Sequence, residues 1–142
     1  MMRTFLMVAV LAAMPALAET DVKDLYEVST DGTSTAVKAG EKGTVVIAFK
    51  TKDTAHVSDE APLKIELSGK DVKLDKAKLT LADSVAKKEE GGKSPPDPRF
   101  EVAFTSAAKG KVTVDAKLTF FICTDKICAR QTKSLSFPVE VQ

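Results

Sequence analysis

Two cysteines, Cys123 and Cys128, are the residues of this chain best suited to chemistry, and no other cysteine accompanies them. A thiol pair can form a disulfide, exchange it with another protein, or bind a soft metal. Lys126 and Arg130 favour a thiolate at this position, and Asp125 opposes them. The single histidine, His56, lies in the stretch Thr54-Ala55-His56-Val57-Ser58-Asp59-Glu60-Ala61-Pro62-Leu63. In a polar turn just before a strand it reads as a surface or hydrogen-bonding residue. With both thiols it makes only three metal ligands, without a Cys-x-x-Cys motif, so neither metal nor cofactor is expected. The sequence offers no serine–histidine–carboxylate constellation and no Gly-rich phosphate loop.

The elements around the cysteines decide their geometry. Phe120-Phe121-Ile122 precedes Cys123, Ala129-Arg130 follows Cys128, and Thr124 to Ile127 lie between. With strands on both sides, this is a β-hairpin whose cysteines oppose each other across the ladder. Opposed Cα atoms lie about 4.5–5.5 Å apart, a span that a disulfide can bridge. Closing a loop of about six residues stabilises by roughly 2 kcal/mol, against nearly 5 for about 100 residues. Stability alone is therefore a modest reason for this bridge. If Phe120 and Ile122 point inward, Cys123 points outward with Lys117, Thr119 and Phe121. Cys128 shares that face, and both are expected to be partly exposed. Lys133 falls on the inward parity of Leu135, which predicts a bulge between Cys128 and Leu135.

The rest of the chain alternates with period two rather than 3.6. Strands are expected over Val22 to Ser29, Thr44 to Lys50, Leu63 to Leu67, Phe100 to Thr105 and Lys111 to Ile122. Shorter ones surround Val72 and Leu74, and Leu79 and Leu81. A last strand turns Leu135, Phe137, Val139 and Val141 inward; Pro138 places it at a sheet edge or a bend. Asp83 to Pro98, rich in charge, Gly and Pro, reads as a long surface loop. About seven to nine short strands separated by turn signals predict an all-β, immunoglobulin-like β-sandwich, with a small barrel as the alternative.

The beginning of the chain predicts export. Arg3, the apolar run Phe5 to Ala13 and Ala16-Leu17-Ala18 make up a secretory signal peptide over residues 1–18, cleaved after Ala18. The run is shorter than the roughly 20 residues that span a bilayer, so no membrane insertion is expected after cleavage. The mature domain then covers residues 19–142 in the periplasm or outside the cell. The chain has 21 Lys and Arg against 20 Asp and Glu, and Arg3 leaves with the signal. That balance argues against a nucleic-acid surface. In an oxidising compartment the two cysteines are expected to pair.

Over most of the mature part the sequence resembles the N-terminal periplasmic domain family of DsbD-type thiol:disulfide interchange proteins. The resemblance rests on His56-Val57-Ser58 with Ala61-Pro62-Leu63-Lys64-Ile65-Glu66-Leu67, on Val72-Lys73-Leu74 with Lys78-Leu79, and above all on the ending. There a long strand leads through an aromatic residue to Cys123, Asp125 and Cys128, then to Thr132-Lys133 and Phe137-Pro138-Val139-Glu140-Val141. In place of the proline-containing segment common after the second cysteine, this chain has Ala129-Arg130-Gln131. The resemblance implies an immunoglobulin-like fold whose redox residues are Cys123 and Cys128. It also implies envelope proteins with disulfides and a separate membrane thiol reductase as partners. The competing expectation is a non-enzymatic binding module in which the same pair is an inert staple.

Overall fold

Strands with one apolar face must bury it against another layer, and here two sheets face each other. The computed structural model describes residues 22–52, 54–87 and 96–142. The expected signal peptide and the middle of the Asp83 to Pro98 loop lie outside those residues. In chain order the strands are β1 (Tyr26–Ser29), β2 (Ala36–Val37), β3 (Lys42–Thr51), β4 (His56–Val57), β5 (Lys64–Ser68), β6 (Lys73–Leu74), β7 (Lys78–Leu79), β8 (Arg99–Thr105), β9 (Gly110–Cys123) and β10 (Cys128–Val141). One sheet has the order β1-β3-β8-β6. The other runs β2-β10-β9-β5-β7, with β4 also paired to β9. The fold is an all-β sandwich, and among the described residues neither sheet closes into a barrel.

Strand β9 organises the second sheet. Its inward residues Val112, Val114, Ala116, Leu118, Phe120 and Ile122 are all buried, as the alternation predicts. Across the sandwich Phe49 packs edge-on to Phe120, with ring centres 4.8 Å apart, and Tyr26 also packs edge-on to Phe120 at 5.2 Å. Gly43 sits where β3 passes Phe104. A Cβ there would lie 2.5 Å from the end of that buried ring, so the close approach requires glycine.

Several expectations change in detail. Residues Val22–Leu25 form a 3-10 turn rather than the first part of a strand. Val22 and Leu25, three apart, fall on one side of such a turn and pack on the core. Leu81 begins a second 3-10 turn, capped by the Asp83 carboxylate on the Thr80 N–H at 2.8 Å. The Lys76 ammonium donates to that carboxylate and holds it below the usual aspartate range. Ten strands stand among the described residues rather than seven to nine, because β2, β4, β6 and β7 have two residues each. Segments of that length are too short to show an alternation. The described ends of the Asp83 to Pro98 loop are fixed to neighbours: the Val85 N–H donates to the Arg99 carbonyl, and Asp97 accepts from the Thr51 N–H.

Candidate functional site

The cysteine pair closes the β9–β10 hairpin, as its spacing predicts. Cys123 and Cys128 are directly opposed and joined by a disulfide, with Cα atoms 4.0 Å apart. The direction of the backbone groups explains so short a separation. The Glu140 N–H points away from β9 and donates to the Thr35 carbonyl of the β2 segment. Counting back by twos, Cys128 also turns its N–H away from β9. The cysteines therefore occupy a non-hydrogen-bonded pair, the closer kind of cross-strand site, at about 4.5 Å. The turn beyond them is tied by the Thr124 N–H to the Ile127 carbonyl at 2.7 Å. The Thr124 hydroxyl accepts from the N–H groups of Lys126 and Ile127, a local bond that suits a threonine at a turn.

The two cysteines differ in exposure, contrary to the expectation that both are partly exposed. Cys123 is 4 % exposed, whereas Cys128 is exposed. Their neighbours on the sheet account for the difference. Cys123 lies in a middle strand, between Cys128 on one side and β4 on the other. Cys128 lies at the start of β10, whose other edge meets β2 only at Glu140 and Val141. Along that edge Arg130, Thr132, Ser134 and Ser136 turn their N–H groups outward, with no backbone partner among the described residues. Pro138 falls on the same side, so its missing N–H costs no ladder bond, and the expected edge position holds.

The expected bulge between Cys128 and Leu135 is absent. The register runs unbroken from Cys128–Cys123 to Val141–Gly110, and Lys133 opposes the buried Leu118. Lys133 is nevertheless exposed, on a strand whose outer edge meets β2 only at Glu140 and Val141. An inward parity at a sheet edge does not by itself mean burial. Two residues along, the Tyr26 hydroxyl of β1 donates to the Gln131 side chain at 3.3 Å.

His56 is not a turn residue, as its sequence context implies, but the first residue of β4, and its partner on β9 is Cys123. Val57 and its partner Ile122 are both buried in the core, so His56 and Cys123 face the other way together. The register thus lines up His56, Cys123 and Cys128 across three adjacent strands on the outer face of the sheet. Arg130 shares that face two residues from Cys128, and Asp125 and Lys126 occupy the turn. No periodicity could reveal this row, because β4 spans only two residues. Among the described residues no group of three or more His, Cys, Asp or Glu is placed to hold a metal ion. With the disulfide formed, such a site would have only the imidazole to offer.

Neither a scan against known protein families nor a search of the curated proteins finds a match. Among solved structures, the chain is similar to domains 4 and 5 of the S-layer protein SbsC, at a TM-score of 0.45 and 14 % identity over 82 % of this chain and 51 % of that one. It therefore spans about half of that S-layer fragment. It is also similar to a conjugative transposon lipoprotein from Bacteroides eggerthii, at a TM-score of 0.46 and 10 % identity over 80 % of this chain and 95 % of that one.

Proposed function

We propose that the domain exchanges thiols and disulfides with proteins of the cell envelope through Cys123 and Cys128. The observation that carries this reading is the division of the bridged pair into an exposed cysteine, Cys128, at a sheet edge and a buried one, Cys123, behind it. Exchange needs such a division: one sulfur meets the partner, and the other resolves the mixed disulfide. The resemblance of the hairpin sequence to DsbD-type N-terminal domains supports the same reading, as does the secretory character of residues 1–18. The small stabilisation from so short a loop gives an inert staple less to contribute.

In the reducing direction the Cys128 thiolate attacks one sulfur of a partner disulfide. The Cys128–partner bond forms, the partner's own bond breaks, and its other sulfur leaves as a thiolate that takes up a proton. The Cys123 thiolate then attacks the Cys128 sulfur, restoring the internal disulfide and releasing the second partner thiol. Two electrons pass from the pair to the partner. A membrane thiol reductase, in the same or another polypeptide, returns the pair to the dithiol by the reverse sequence.

Oxidised glutathione provides the test. The reduced, folded protein is expected to form its disulfide with glutathione disulfide faster than the same protein unfolded in denaturant, because the fold presents Cys128 and holds Cys123 within reach. Mass spectrometry of quenched samples follows the reaction. Exchange that is equally fast or slower in the folded state contradicts the proposal and leaves the inert staple.

A further inference from the structure

We infer that His56 is the proton carrier of the buried sulfur, giving a proton to Cys123 when the disulfide opens and taking it back when the disulfide closes. This inference rests on the exchange reading above and assigns a residue to it. When an incoming thiolate attacks Cys128, the bond that breaks frees Cys123 as a thiolate. That charge appears at a position 4 % exposed, where little water can solvate it. A nearby group must supply a proton or a positive charge.

The strand register supplies one candidate in direct apposition. His56 opposes Cys123 on β4, and both turn to the outer face because Val57 and Ile122 turn inward. Cβ atoms of opposed residues lie about 4.5–5.5 Å apart, close enough for an imidazole to meet the sulfur. His56 itself is half-buried, so it remains open to exchange protons with solvent. The other charged groups around the pair are less suited. Arg130 shares the face from β10, but it sits beside the exposed cysteine and a guanidinium does not give up its proton. Lys126 and Asp125 lie in the exposed turn beyond the disulfide, and Asp59 and Glu60 are exposed in the segment after β4. Among the described residues, only His56 both adjoins Cys123 and has a side chain that can give and take a proton there.

The step balances. A glutathione thiolate bonds to the Cys128 sulfur, the Cys123–Cys128 bond breaks, and the imidazolium of His56 protonates the departing Cys123 sulfur. In the reverse step neutral His56 takes that proton, the Cys123 thiolate attacks Cys128, and glutathione leaves as the thiolate.

The experiment measures the opening of the disulfide by reduced glutathione from about pH 5 to 9 in the wild-type protein and in His56→Gln, with rates corrected for the glutathione thiolate fraction. The wild-type rate is expected to fall in one step as pH rises across this range, as the proton carried by the imidazole is lost. His56→Gln is expected to lose that step and to react roughly tenfold more slowly on the acidic side, a modest share of what a positioned proton carrier contributes. A second readout uses the Cys128→Ser protein, in which ultraviolet absorbance follows ionisation of Cys123 alone. Adding His56→Gln is expected to move that titration to higher pH. A His56→Gln protein that keeps both the wild-type pH profile and the same Cys123 titration overturns the role of His56 while leaving exchange intact. A wild-type protein that does not exchange at any pH overturns the exchange reading itself.

Discussion

Mixed with an envelope extract rich in disulfides, the Cys123→Ser protein is expected to hold partners covalently through Cys128, and the Cys128→Ser protein to hold almost none. The reason lies in the unequal surroundings of the two sulfurs. Cys128 begins an edge strand and is open to an approaching chain; Cys123 lies in a middle strand, 4 % exposed. With Cys123 replaced, the mixed disulfide at Cys128 has no resolving thiol and persists. With Cys128 replaced, the remaining thiol is screened by the hairpin and by β4, so an incoming disulfide cannot align with it. Non-reducing electrophoresis checks the outcome: reductant-sensitive adducts with Cys123→Ser, and little or nothing with Cys128→Ser. Equal adducts from both variants would show that exposure does not assign the roles.

The second large effect concerns the core that carries the hairpin. Phe120→Ala is expected to cost about 3–5 kcal/mol, the usual range for emptying a buried aromatic site. Phe120 is fully buried and meets Phe49 and Tyr26 edge-on, so its removal leaves a cavity bounded by two rings held by separate strands. A domain of this size has only about 5–15 kcal/mol in all. The melting temperature should fall by at least about 10 °C. Ile127→Ser serves as the control, because Ile127 is 52 % exposed in the turn and should change stability little. A Phe120→Ala loss below about 1 kcal/mol would mean that the ring cluster does not hold the two sheets together.

Much of this arrangement is legible in the chain itself. The alternation from Val112 to Ile122 marks β9 and its buried face residue by residue, and the spacing of Cys123 and Cys128 marks the hairpin. Pro138 marks an edge. What escapes has physical causes. The two-residue strands β2, β4, β6 and β7 carry no periodic signal, and β4 is the one that matters for the site. It covers Cys123 and brings His56 beside it, a pairing between residues 67 positions apart that only tertiary structure makes. Lys133 misleads in the other direction. Parity turns it inward, yet it is exposed, and the register runs past it without any bulge. The Val22–Leu25 turn replaces a strand because the apolar residues there are three apart rather than two.

The most direct measurement is the reduction potential of the Cys123–Cys128 pair, obtained by equilibrating the protein in glutathione buffers and counting free thiols. Exchange with envelope partners predicts a value above about −300 mV, within the range of about −270 to −120 mV covered by proteins that trade disulfides. A potential below about −300 mV, where structural disulfides of secreted proteins lie, would contradict the account and make the bridge a staple.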